Sequence, residues 1–215
     1  MRTKTLLLTV ALVAAGAASS MAQVYSQNAV GYINVTIKPG FNLIANQLVS
    51  PNTTVASLLT GVPDQTTVYK FASGPGGGFT IVTYDLSGIG GWDDPDLTID
   101  HGGGVFVQNP TANNVTVTFV GDVLQGSPIS NPIPANFSIR SSRVPQAGLI
   151  QTDLKFTPAD QDTVYKFVNP TGYSIYTYDL SGVGDWDEQP TFGVGEAFFV
   201  LSVAGHSWNH NFSVN

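Results

Sequence analysis

Apolar residues in this chain tend to alternate with polar ones, and Gly, Pro, Asn and Asp break the alternation every few residues. A period of two sends successive side chains to opposite faces of a strand, so the pattern predicts short β-strands joined by turns. Val115-Thr116-Val117-Thr118-Phe119-Val120 alternates before turning continuously apolar, as a half-buried strand does. The predicted strands of the first half are 30–37, 41–48, 67–71, 79–84, 104–108 and 115–120. One segment reads differently. Over 53–59, Thr53 or Thr54 can cap a short helix with Val55, Leu58 and Leu59 on one side.

Shifting the chain by 96 residues exposes a repeat. Asp64-Gln65-Thr66-Thr67-Val68-Tyr69-Lys70-Phe71 falls on Asp160-Gln161-Asp162-Thr163-Val164-Tyr165-Lys166-Phe167. After a two-residue deletion, the segment from Thr83-Tyr84-Asp85-Leu86-Ser87-Gly88 to Trp92-Asp93 falls on that from Thr177-Tyr178-Asp179-Leu180-Ser181-Gly182 to Trp186-Asp187. Phe41 matches Phe137, and Gly102-Gly103-Gly104-Val105-Phe106-Val107 matches Gly195-Glu196-Ala197-Phe198-Phe199-Val200 in pattern. The expected organisation is an all-β chain of two tandem β-sandwich or barrel-like modules, 23–125 and 126–215, each with at most one short helix. Residues 126–134 read as a proline-stiffened linker or as an edge strand. Close packing of the modules is favoured, because each has only some 90 residues with which to build a core.

The N-terminus departs from this pattern. Arg2 and Lys4 precede an apolar, alanine-rich run over 6–18, and Ser20-Met21-Ala22 forms a small-x-small site. This predicts a signal peptide, 1–22, cleaved after Ala22, and a periplasmic or extracellular location. Cleavage leaves six basic and fifteen acidic residues, a formal net charge of −9. Scattered basic residues in an acidic chain do not form the clustered groove that nucleic acid or an anionic membrane requires. Cysteine is absent, which removes disulfides, thiolate nucleophiles and Cys-based metal sites. With no cysteine to lipidate and no spanning tail after the last predicted strand at 212–214, no membrane anchor is expected once the signal is removed.

The two copies agree best at V-Y-K-F and at the T-Y-D-L-S-G to W-D loop, where candidate chemistry gathers. In one reading the loop is architecture, with Gly residues making the turn and Trp92 and Trp186 folding over the core. In a second reading Asp85, Asp93, Asp94, Asp96 and Asp100, with Asp179, Asp185, Asp187 and Glu188, supply oxygen ligands for calcium. Of these, Asp85, Asp93, Asp179 and Asp187 are the metal candidates, although the spacing fits neither common calcium loop. In a third, Trp92, Trp186, Tyr84 and Tyr178 stack on a polysaccharide while aspartates accept its hydroxyl protons. Gly74-Pro75-Gly76-Gly77-Gly78 reads as a hairpin loop, since no Lys-Ser/Thr follows it to make a phosphate cradle. His206, Trp208 and His210 share one strand face without a third metal ligand in reach. His101 lies among glycines with no triad signature, so no catalytic residue and no resident cofactor is expected. The Asn-x-Ser/Thr sites at Asn34, Asn52, Asn114, Asn136 and Asn211 reflect Asn/Thr-rich strands, and no glycan is assigned to them.

The run Asn28-Ala29-Val30-Gly31-Tyr32-Ile33-Asn34-Val35-Thr36, then Gly40-Phe41-Asn42-Leu43-Ile44-Ala45-Asn46, the V-Y-x-F strand, the W-D loop and Val117-Thr118-Phe119-Val120-Gly121 resembles a group of uncharacterised exported bacterial β-repeat proteins. The resemblance covers the whole first module and implies an exported β-repeat protein with no activity attached. Phe137-Ser138-Ile139-Arg140 departs from it in the second. The expected function is a non-enzymatic structural, surface-associated or adhesive component that contacts other surface proteins or itself. The alternative is a carbohydrate-binding module protein, and a calcium-dependent module or a hydrolase ranks lower.

Overall fold

A computed structural model describes residues 29–74, 76–182 and 184–214. The predicted signal peptide lies outside the described residues, and no helix among them is long and apolar enough to cross a membrane. The fold is all-β. The first half holds β1 (Val30–Ile37), β2 (Gly40–Ile44), a single helical turn α1 (Val55–Leu58), β3 (Thr67–Phe71), β4 (Phe79–Asp85), β5 (Gly91–Trp92), β6 (Val105–Asn109) and β7 (Val115–Asp122). The second half holds β8 (Gly126–Ile133), β9 (Asn136–Arg140), β10 (Gly148–Leu149), β11 (Thr163–Val168), β12 (Gly172–Asp179), β13 (Asp185–Trp186), β14 (Thr191–Phe192), β15 (Phe198–Ser202) and β16 (His206–Phe212).

The strand order of one half recurs in the other. In the first, a five-stranded antiparallel sheet runs β2-β6-β3-β4-β5, and the opening and closing strands β1 and β7 pair separately. In the second, the order is β9-β15-β11-β12-β13, with β8 on β16 and a small β10-β14 ladder besides. The repetition extends to backbone torsions, since Gln65 and Gln161 both take the left-handed region, with φ of 65° and 67°.

Alternation explains how each half packs. On β1, Ile33, Val35 and Ile37 point inward, and Val117 and Phe119 of β7 do the same. They meet Ile44, Val68, Val82, Val105 and Val107 from the inner face of the five-stranded sheet, a sandwich-like arrangement. Burying each such side chain contributes about 1.5–3 kcal/mol. In the second half Ile133 and Trp208 cover Val164, Phe198 and Val200, and Phe156 and Trp186 complete the core.

Several expectations change in detail. The strand expected over 41–48 stops at Ile44, because the next amide, Ala45 N–H, is taken by the carbonyl of Gly195 in the other half. Thr54 occupies the N-cap position of α1, but its hydroxyl meets the Ser57 hydroxyl and makes no capping bond to an amide. Residues 126–133 form a strand paired with β16, in unbroken register from Ile129 to Ile133 and with a register shift between Ile129 and Gly126. Phe137-Ser138-Ile139-Arg140 lies within β9 despite its departure from the first copy, because Phe199 and Phe198 of β15 hold Ile139 and Arg140 in register.

Candidate functional site

The loops on which the two copies agree are held by their own aspartates. Asp85 Oδ1 accepts from Ser87 N at 3.1 Å, Ser87 Oγ at 2.9 Å and Gly88 N at 2.8 Å. Asp179 Oδ1 repeats this with Ser181 N at 3.0 Å, Ser181 Oγ at 2.9 Å and Gly182 N at 2.9 Å. Asp64 and Asp160 accept from Leu86 N and Leu180 N, and Asp93 and Asp187 accept from Thr83 N and Thr177 N across the sheet edge. The Gly88 amide and then the Ser87 hydroxyl hold the Asp85 carboxyl below the ordinary carboxylate range, and Gly182 and Ser181 do the same for Asp179. Gly88 and Gly182 have a steric reason as well, since a Cβ at either would run into the neighbouring Asp carboxylate.

These bonds bear on the metal reading, since Asp85, Asp93, Asp179 and Asp187 each turn Oδ1 to backbone amides. Among the described residues, no group of three or more His, Asp or Glu side chains converges as a metal site. The polysaccharide reading is corrected for the indoles. Trp92 is 8% exposed and Trp186 6%, each inside its half's core, so neither offers a stacking face. The half-buried Tyr84 and Tyr178 pack on them, with ring centroids 5.3 and 5.4 Å away.

The two halves meet on the other face of each five-stranded sheet. There Leu43, Ala45 and Phe106 of the first half close against Ile139, Ala197 and Phe199 of the second. The contacts come in exchanged pairs, as a twofold relation would produce. Phe106 meets Phe167 at 5.1 Å, and its counterpart Phe199 meets Phe71 at 5.2 Å. Ala45 N donates to Gly195 O, and Ser141 N donates to Gly102 O. Gly104 is required at the centre, because a Cβ there would press on Ala197, the Ile139 side chain and the Ile44 carbonyl.

Around this seam an aromatic surface stays open. Phe41, Phe79 and Ile81 are exposed in the first half, and their counterparts Phe137, Tyr173 and Ile175 in the second. Ring contacts link the four aromatic residues among them through Tyr69, Phe71, Phe106, Tyr165, Phe167 and Phe199 into one continuous cluster, and Ile81 and Ile175 lie opposite Tyr69 and Tyr165 in strand register. Contiguous exposed apolar surface of this kind is uncommon on a monomer and marks contact surfaces. The sequence carried a signal for it, since all five aromatic positions recur between the copies.

Two grooves flank the seam at equivalent places. One, of 420 Å³, is lined by Lys166, Phe167, Val168 and Asn169 with Lys38 and Glu196; the other, of 380 Å³, by Lys70, Phe71, Ala72 and Ser73 with Asp100 and Arg140. Lys70 pairs with Asp100 at 2.8 Å and Lys166 with Glu196 at 3.6 Å, so the recurring lysine of V-Y-K-F ties down the loop that leads into β6 or β15.

The histidines are structural parts of the second half and of the seam. His101 Nε2 donates to Arg143 O at 2.8 Å, and Nδ1 accepts from Arg143 Nε and Nη2 at 3.2 Å. Burial, and then the Arg143 charge, lower its pKa and favour the neutral ring. His206 Nε2 lies 2.6 Å from Oδ2 of the fully buried Asp162. His210 sits where the first half has the core Phe119; its Nε2 is buried without a partner and burial lowers its pKa.

No protein-family profile, curated protein or solved structure matches this chain.

Proposed function

We propose that this protein is an exported, non-enzymatic structural or adhesive component of the cell surface, built of two β modules that present one shared aromatic face. The observation that carries the reading is that face: six apolar residues stay exposed in pairwise equivalent positions, and the four aromatic ones among them are joined by ring contacts across both halves. An apolar face retained twice in an acidic chain suits a contact surface. The loop carboxylates support the same reading, because they serve backbone amides and so serve architecture before chemistry. Other surface proteins are the partners this face suits, since aromatic residues dominate the centres of protein contacts.

The test is fractionation of the source cells with an antibody to the mature chain. Recovery in the envelope or extracellular fraction, with a Phe79→Ser/Tyr173→Ser variant shifting to the soluble part of that fraction, is the expected result. Recovery of wild type in the cytoplasm, or saturable polysaccharide binding that survives those substitutions, overturns it.

A further inference from the structure

The open edges of β4 and β12 add backbone chemistry to the aromatic face. Tyr84 N donates to Thr66 O and Ala72 N to Gly78 O, so the even-numbered residues of β4 turn their amides toward β3. The odd-numbered residues turn theirs outward. Thr83 is already engaged there, with its N–H on Asp93 Oδ1 and its carbonyl accepting from Asp93 N. β5 covers only Tyr84 and Asp85, so among the described residues no strand lies beside Phe79 and Ile81.

The second half repeats this arrangement. Tyr178 N donates to Asp162 O, Thr177 is engaged by Asp187, and β13 covers only Tyr178 and Asp179. Tyr173 and Ile175 are left at the edge. Their side chains are exposed too, Ile81 at 54% and Ile175 at 57%.

Natural sheet edges are guarded by charge, proline, bulges or a covering segment. Phe79-Thr80-Ile81-Val82-Thr83 and Tyr173-Ser174-Ile175-Tyr176-Thr177 contain neither a charge nor a proline. We infer that these edges bind further copies of this chain, β4 pairing antiparallel with β4 of one neighbour and β12 with β12 of another. The inference rests on the structural reading above and names its partner.

Three observations select a second copy as the occupant. The face beside both edges is already self-complementary, since Phe106 on Phe167 and Phe71 on Phe199 are contacts between equivalent surfaces within the chain. Acidic chains repel one another over most of their surface, and the open stretches 79–81 and 173–175 carry no charge. Antiparallel self-pairing sets Phe79 opposite the neighbour's Ile81, joins the outward N–H and C=O of both, and places their side chains together.

The exposed parts of the six face residues amount to roughly 500 Å² per chain, about half of it at each edge, taking about 150–250 Å² for a whole aromatic side chain. A standard interface buries about 800 Å² per partner, so each contact is weak and assembly depends on concentration. Because every chain carries two such edges, a dimer made through one keeps the other open on each copy, and the assembly grows past the dimer.

Sedimentation velocity of the mature chain, from micromolar to millimolar concentration, tests this. Wild type is expected to grow past the dimer, Ile81→Lys or Ile175→Lys alone to stop at the dimer, and the double variant to stay monomeric. Ile81→Thr with Ile175→Thr keeps β propensity, and is expected to move assembly to higher concentration should the lysine variants fail to show wild-type melting. A monomeric wild type, a double lysine variant that folds and assembles like wild type, or one single variant abolishing all association overturns the proposal. A strand peptide of foreign sequence that binds a persistently monomeric chain also overturns it, by giving the edge to another protein. A monomer that still fractionates with the envelope defeats this inference and leaves the surface reading standing.

Discussion

Replacing Phe106 by alanine removes the ring at the centre of the seam. Phe106 is buried, with ring centroids of Phe41, Phe79, Phe167 and Phe199 at 6.2, 6.4, 5.1 and 6.1 Å. Core Phe→Ala substitutions cost about 3–5 kcal/mol, and the value expected here is about 3, because one side of the site opens toward exposed Phe79 and can relax. Against a total stability of about 5–15 kcal/mol the loss is large. For a chain of this length it corresponds to a fall of roughly 6–12 °C in Tm. Urea denaturation measures the free energy, and hydrogen exchange resolves where it is lost. Because Phe106 touches Phe167 and Phe199 of the other half, amides of both β3 and β11 should lose protection. Phe199→Ala is expected to cost about the same. The double variant should cost less than the sum by about 0.5 kcal/mol or more, since the rings touch. A loss below about 1 kcal/mol, or one confined to the first half, would refute the claim that the halves share this core.

Calcium addition is expected to leave Tm unchanged, because backbone amides occupy Oδ1 of Asp85, Asp93, Asp179 and Asp187; a rise of several degrees would restore the metal reading. Asp85→Ala or Asp179→Ala should accelerate exchange of the Ser87 and Gly88, or Ser181 and Gly182, amides at neutral pH, and unchanged rates count against the loop account. Both carboxyls have lowered pKa values, so their contribution is present above the unfolded carboxylate value of about 3.9 and is lost as pH falls through the still lower folded value. NMR titration of the carboxyls checks the direction. His101 and His210 also have lowered pKa values, so their share of stability is present above about 6.5 and declines as pH falls through the folded values. His210→Phe restores the residue type of Phe119 and removes an unpartnered buried nitrogen. It should stabilise by about 1–2 kcal/mol and flatten the fall in stability below about pH 6.5, and no gain would show that the site has adapted to the imidazole.

The all-β class and most strands of the first half were legible in the chain because both depend on local order. The period of two marks a strand wherever one face is buried and the other wet, and β1 and β7 follow it residue by residue. Duplication was legible too, because the Asp85 and Asp179 loops need particular residues at fixed offsets to close their hydrogen bonds. What the pattern does not resolve is which face of a strand turns inward when both are apolar. On β3, Val68 enters the core of its half while Tyr69 and Phe71 face the seam, and all three are strand formers. Nor does spacing tell whether Trp92 and Trp186 close over a core or stand free, since that depends on β5 and β13, each only two residues long. The open edges of β4 and β12 follow from where β5 and β13 stop within each half, and the continuous aromatic cluster exists only once the two halves are set against each other. Contacts such as Phe106 with Phe167, 61 residues apart in the chain, are decided by tertiary packing, which no local period encodes.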